Sequence, residues 1–114
     1  MIKAMIEETI AQIEARLRGA KTLQDDRRDE LLSLLATLKA EVADLSQTHV
    51  EEAESIAGFT NLSTHEATRG EQNPELLQLS LQGLKSSVEG FERSHPKLVQ
   101  LVNSISNTLS NLGI

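Results

Sequence analysis

Between Ile2 and Leu17 the large apolar residues stand at Ile2, Ile6, Ile10, Ile13 and Leu17, and such alternating three- and four-residue steps line one face of a helix. This spacing predicts a first helix over residues 1–18, stopped at Gly19, where a left-handed cap is expected. A second helix is expected to open between Thr22 and Asp26 and to run over 24–57, with Asp25, Asp26, Asp29 and Glu30 at the end whose dipole favours negative charge. Its seam, Leu31, Leu35, Leu38, Val42 and Leu45, is a narrow heptad of coiled-coil type, and Leu32 and Leu34 widen its face. Beyond Leu45 the register is lost, because the next heptad slots are His49 and Glu52 while the apolar residues are Val50, Ala53, Ile56 and Phe59. Ser46-Gln47-Thr48 is a weak helical run, and Thr48 followed by Glu51 has the form of a capping box. A kink or restart is therefore placed near 46–49.

From Gly58 to Asn73 the large-residue periodicity disappears. Residues 58–73 read as a connection in which Ser63-Thr64-His65-Glu66 caps at most one short turn, ending at Arg69-Gly70. That is long for a loop between bundle helices. Asn73-Pro74-Glu75 then supplies a cap residue, a proline at the first helical position and an acid in the first turn. The helix it starts, over 74–93, presents Leu77, Leu81, Leu84, Val88 and Phe91, with Leu76 and Leu79 broadening the apolar face. Gly83 and Gly90 each lower its helicity by about 1 kcal/mol relative to alanine, and glycine there either admits a close neighbour or is slack. Ser94-His95-Pro96 ends this helix, since the residue before proline is driven from helical angles. A last helix over 96–112 presents Leu98, Val102, Ile105, Leu109 and Leu112, and Gly113-Ile114 has the form of a Schellman ending that folds Ile114 back on Leu109.

Four seams of this kind, with no fixed-period repeat, predict an all-α protein in one domain over 1–114, an antiparallel four-helix bundle or an elongated assembly of helical hairpins. A single helix over 25–57 would be about 50 Å long, overshooting a compact domain whose radius of gyration is about 13 Å. Either it breaks near 46–49, or the molecule is elongated and a second copy covers its seam. The bend at 94–96 fits both a sharp hairpin and a kink in a nearly continuous rod.

Composition narrows the chemistry. The 114 residues carry 11 basic and 17 acidic side chains, a net charge of −6, with Phe59 and Phe91 as the only aromatics apart from histidine and no cysteine. Disulfides, thiolate sites, cysteine nucleophiles and tyrosine acids are excluded. An acidic chain with two phenyl rings lacks the positive groove and stacking platforms of nucleic-acid binders. No run reaches the roughly 18–20 consecutive apolar residues of a membrane span. Glu7 and Glu8 interrupt the opening where a secretory signal would be apolar, so a cytoplasmic location is expected. The charge is unevenly placed: residues 1–57 hold 12 acids and 7 bases, residues 58–114 only 5 and 4, and after Lys97 the last helix has none. Depletion of charge is a mark of interface cores.

Of the residues with chemistry to offer, Glu92-x-x-His95 has the spacing of carboxylate-bridged metal bundles. Such centres need a second copy and further glutamates, and Pro96 ends the helix at once, so Ser94 and His95 read instead as capping residues. His49 and His65 could meet Glu51, Glu52 or Glu66 around a metal only after folding, because no local spacing joins them. There is no Gly-x-Ser-x-Gly elbow and no glycine-rich phosphate loop.

The block Val88-Glu89-Gly90-Phe91-Glu92-Arg93-Ser94-His95-Pro96-Lys97-Leu98, with Asn103, Ile105, Leu109 and the ending Leu112-Gly113-Ile114, resembles a small bacterial family of unknown function. Its members pair an N-terminal helical hairpin, which residues 1–45 resemble, with a Phe-Glu-x-x-His-Pro-x-Leu segment and a Gly-Ile ending. Against the shorter members, residues 46–73 look like added length. The resemblance implies a helical fold and supplies no catalytic residue.

These observations predict a non-catalytic, cofactor-free oligomerisation or protein-interaction module, a homodimer or the partner of another protein, with neither nucleic acid nor membrane as partner. The contact residues expected from the sequence are Phe91, His95, Pro96, Leu98, Val102, Asn103, Ile105, Asn107 and Leu109. The alternative is a helical bundle that binds a metal or a small ligand through the glutamate–histidine pair.

Overall fold

The three- and four-residue steps become helices in the computed structural model, which describes residues 2–20 and 23–112. Among the described residues five helices form: α1 (Ile2–Arg18), α2 (Asp25–Leu45), α3 (Val50–Thr68), α4 (Pro74–Ser86) and α5 (Pro96–Leu112). Thr22, the Gly113-Ile114 ending and the side chain of Ile2 lie outside the described residues.

The seams read from the sequence are the core. Ile6, Ile10, Ile13 and Leu17 of α1, Leu31, Leu35, Leu38, Val42 and Leu45 of α2, Leu77, Leu81 and Leu84 of α4, and Leu98, Val102, Ile105 and Leu109 of α5 are all buried together. Each leucine or isoleucine so placed contributes about 1.5–3 kcal/mol of burial. α2 runs antiparallel to both α1 and α5. The Lys39 ammonium meets buried Glu14 at 3.0 Å between α2 and α1. Between α5 and α2, Lys97 lies 3.9 Å from Glu41, and the Thr108 hydroxyl donates to Glu30 Oε1 at 3.2 Å eleven residues further along. The resulting bundle has a radius of gyration of 13.1 Å and extents of 37 × 24 × 20 Å, so the compact geometry is adopted and the elongated one is not.

Of the kink and the restart expected at 46–49, the restart is adopted: α2 ends at Leu45, and α3 begins after His49. Other details differ from the sequence reading. The capping box there does not form, since the Thr48 hydroxyl is engaged with the Leu45 carbonyl and His49 Nδ1, and His49 is the cap residue. The helix expected over 74–93 stops at Ser86, and the left-handed residue is Gly90, with φ 95°, not Gly19. By contrast, Asn73 caps α4 as expected, its Oδ1 accepting the N–H groups of Glu75 and Leu76 at 3.1 and 3.2 Å. The bend at 94–96 closes a hairpin, for α4 and α5 pack on one another.

The largest difference is at 58–73. Residues 58–68 are not a connection but the second half of α3, and the loop is only 69–73. Among the described residues α3 is the helix that touches all four others, whereas α1 meets only α2 and α3, and α4 only α3 and α5. Its buried residues are Ala53, Ile56, Ala57, Thr60, Ser63, Thr64, Glu66 and Ala67, spaced at three and four and, apart from Ile56 and Glu66, small. A helix with neighbours on several sides has room for little else, since close-packed interiors admit neither voids nor extra methylenes. Three of its threonine hydroxyls fold back on their own helix: Thr60, Thr64 and Thr68 donate to the carbonyls of Ile56, Thr60 and Thr64 at 2.7–2.8 Å. This satisfies buried polar atoms without partners elsewhere.

Candidate interaction surface

The two turns at one end of the bundle bring together three rings that are distant in sequence. His49, at the start of α3, and His95, before α5, flank Phe91, each ring 5.4 Å from the phenyl centroid and edge-on to it. The two imidazoles are 6.1 Å apart. Thr48 Oγ1 lies 2.7 Å from His49 Nδ1, and Ser94 Oγ lies 2.9 Å from His95 Nδ1. Edge-to-face rings of this kind contribute about 0.5–1.5 kcal/mol beyond their burial, so the cluster ties the α2–α3 turn to the α4–α5 turn. It is not the glutamate–histidine pair, because the Glu92 carboxylate accepts the Gly90 N–H at 2.9 Å within its own turn. His65 lies sixteen residues from His49 on the same helix, about 24 Å away. Among the described residues no group of three or more histidine, aspartate and glutamate side chains is placed to hold a metal ion.

The residues expected to make contacts divide by burial. Leu98, Val102, Ile105 and Leu109 are 0–2% exposed and Phe91 is 8% exposed, all within this chain's own core, so none of them presents a surface to a partner. Pro96, Asn103 and Asn107 are exposed and His95 is half-buried. The uncharged face of α5 is thus a solvated row of Gln100, Asn103, Ser104, Asn107 and Asn111, with its apolar residues turned inward.

The exposed apolar surface lies elsewhere. Leu76 and Leu79, expected to broaden the buried face of α4, are 42% and 55% exposed, and Leu62 of α3 is 44% exposed. Phe59, half-buried, joins them. Its ring lies flat against α4 at Gly83, where a β-carbon would fall inside the ring's van der Waals surface. Leu76, Leu79 and Gly83 follow one another at three and four residues along α4, as Phe59 and Leu62 do along α3. A shallow cleft beside Ser55, Gly58, Phe59 and Leu62 continues this strip. A second, of about 180 Å³ between Met5, Thr9, Glu54 and Gly58, carries it to α1. A contiguous apolar strip on an otherwise polar monomer marks a contact surface more often than chance.

Gly83 settles one alternative left by the sequence, since it admits the Phe59 ring. Alanine at 83 gains about 1 kcal/mol of helix propensity but displaces a phenyl side chain, and crowding of this kind costs about 1–3 kcal/mol. Gly83→Ala is expected to lower the unfolding free energy in the native background and to raise it in a Phe59→Ala background. A double-mutant cycle by urea denaturation measures the reversal, and equal effects in both backgrounds would refute the packing.

The opposite end of the bundle holds a cleft of about 380 Å³, lined by Leu23, Gln24, Arg27, Arg69, Gln72 and Leu112 among others. Arg69 there is held by buried Glu66 at 2.9 Å, and the Gln72 amide donates to the Ala67 carbonyl at 2.8 Å. No helix among the described residues is long and apolar enough to cross a membrane.

Neither the strip nor the histidine pairing was marked in the sequence. The one legible hint was Leu76 and Leu79 standing off the Leu77, Leu81, Leu84 seam. No curated protein and no solved structure matches the chain. The matched region begins within α2 and takes in all of α3, α4 and α5, so the exposed strip on α3 and α4 and the ring cluster both fall inside it. Residues 35–114 match the domain of unknown function DUF4404, and the chain belongs to that family.

Proposed function

We propose that this protein is a non-catalytic, cytoplasmic oligomerisation or protein-interaction module, and that its contact surface is the strip formed by Phe59 and Leu62 of α3 with Leu76 and Leu79 of α4. The exposure of three leucines on adjacent helices carries this reading, because every seam residue around them is buried. A cysteine-free chain suits a reducing compartment, and a net charge of −6 favours proteins over nucleic acids as partners. The bacterial family resembled by the Phe91–Leu98 segment is the source in which such a module is sought.

Light scattering at micromolar concentration is expected to report more than one chain per particle, or affinity capture at native expression level to recover a partner protein. The Leu62→Glu/Leu79→Glu variant is expected to abolish whichever is found, with its melting curve unchanged because both positions face solvent. A monomer that captures the same proteins with and without the two substitutions would overturn the reading.

The polar cleft supports a second reading, a bundle that binds a small anionic ligand. Its volume of about 380 Å³ falls in the range of small-molecule sites, about 300–1,000 Å³, and Arg27 and Arg69 line it. Native mass spectrometry of the purified protein decides this: a bound species lost on Arg27→Gln supports it, and bare chains refute it.

A further inference from the structure

We infer that the partner of the α3–α4 strip is a second copy of this chain, docked about a two-fold axis with α4 antiparallel to its counterpart. The inference rests on the interaction reading and goes further by fixing partner and register. It starts from where the charges stand. Along α4 the exposed positions beside the leucines are Glu75, Gln78, Gln82 and Lys85. Glu75 and Lys85 are equidistant from Ser80, as are Gln78 and Gln82. In an antiparallel pair related by a two-fold axis, flanking positions meet their equivalents from the opposite end. A two-fold axis at the level of Ser80 therefore pairs Glu75 with the partner's Lys85, and Gln78 with the partner's Gln82, twice each.

The neighbouring helix agrees independently. Because Phe59 faces Gly83 and α3 runs antiparallel to α4, Leu62 lies at the level of Ser80, three residues along in each. The same axis then sets Leu62 and Leu79 against their own copies, as one cluster of four leucines. Glu54 on α3 and Arg69, the residue that follows its last turn and is paired with Glu66, stand eight residues before and seven after Leu62, so this axis also brings Glu54 close to the partner's Arg69. A single axis thus turns two acid-to-base gradients into complementary pairs and buries the exposed leucines. With α4 packed parallel on its own copy, Glu75 would face Glu75 and Lys85 would face Lys85, which disfavours that register.

The area is consistent with a reversible dimer. A face as long as thirteen-residue α4, about 20 Å, and two helices wide, about 20 Å, covers on the order of 400 Å² in projection per partner. The total of about 800 Å² lies below the roughly 1,200 Å² at which stable interfaces begin and in the range of weak, transient encounters. It also explains why the strip is modest in apolar content and leaves the monomer able to fold.

Sedimentation equilibrium from micromolar to several hundred micromolar protein tests the register. The native chain is expected to show a monomer–dimer equilibrium. Glu75→Lys and Lys85→Glu, taken singly, each oppose like charges twice per dimer and are expected to weaken it about tenfold. The double variant, Glu75→Lys with Lys85→Glu, is expected to restore native affinity. Within one chain the two side chains are ten residues apart, about 15 Å along the helix, so restoration has only an intermolecular source. Leu79→Glu, which brings two carboxylates together at the axis, is expected to abolish the dimer, with an unchanged helical spectrum showing that the monomer is folded. A dimer indifferent to all four variants overturns the register and leaves self-association standing through another face. A native chain that stays monomeric throughout overturns the inference itself, while the capture experiment decides separately whether the surface takes a different protein.

Discussion

Ile105→Ala is expected to lower the unfolding free energy by about 2–5 kcal/mol, whereas Asn107→Ala on the same helix is expected to change it by less than about 0.5 kcal/mol. Ile105 is fully buried, among the largest side chains so enclosed, and Asn107 stands in solvent. Removing three carbons from the Ile105 site forfeits their transfer free energy and leaves a cavity that the three helices packed on α5, namely α2, α3 and α4, cannot close without moving together. For a domain whose total stability is of the order of 5–15 kcal/mol, this is a large fraction. Urea denaturation of both variants, read by helical ellipticity, measures it. Equal, small effects would show that α5 uses its apolar seam outside the monomer, as the sequence had suggested for Leu98, Val102, Ile105 and Leu109.

The second large effect is of opposite chemistry. Ala53→Leu changes helix propensity by only a few tenths of a kcal/mol, yet it is expected to destabilise the fold by about 3 kcal/mol, at the upper end of the usual cost of overpacking. Ala53 is wholly buried on α3, the helix pressed by all its neighbours, and the three added carbons have no solvent-facing rotamer to escape into. Leucine at Gly58, exposed on the same helix where an added Cβ meets nothing within 4 Å, is expected to be neutral or stabilising through propensity alone. Thermal melts of the two variants separate a crowded helix from a loosely attached one. Tolerance of leucine at 53 would mean that α3 is not the central strut.

These variants also locate where the sequence was readable. Leu31, Leu35, Leu38, Val42 and Leu45 declare a helix because large apolar residues at regular steps have one structural use, and all five are buried. Asn73-Pro74-Glu75 declares a helix start because its chemistry is local, a side chain reaching the N–H groups two and three residues on. Thr60, Ser63, Thr64 and Ala67 keep the same steps but carry little hydrophobic signal, so the second half of the most surrounded helix resembled a loop. Periodicity in residue size would have found it where periodicity in hydrophobicity did not. Leu76 and Leu79 show the reverse error: a large apolar residue beside a seam reads as buried, and these two are exposed.

The sequence by itself determined that the chain is helical, which residues form its seams, and which chemistries it lacks, since these follow from local steps, caps and composition. The tertiary structure decided which faces remained after the seams were consumed. Only packing could place α3 among all the other helices, seat Phe59 on Gly83, bring His49 to His95 across forty-six residues, and leave Leu62, Leu76 and Leu79 uncovered. Burial is a property of what lies opposite, and what lies opposite a side chain in a bundle is supplied by helices far away in sequence.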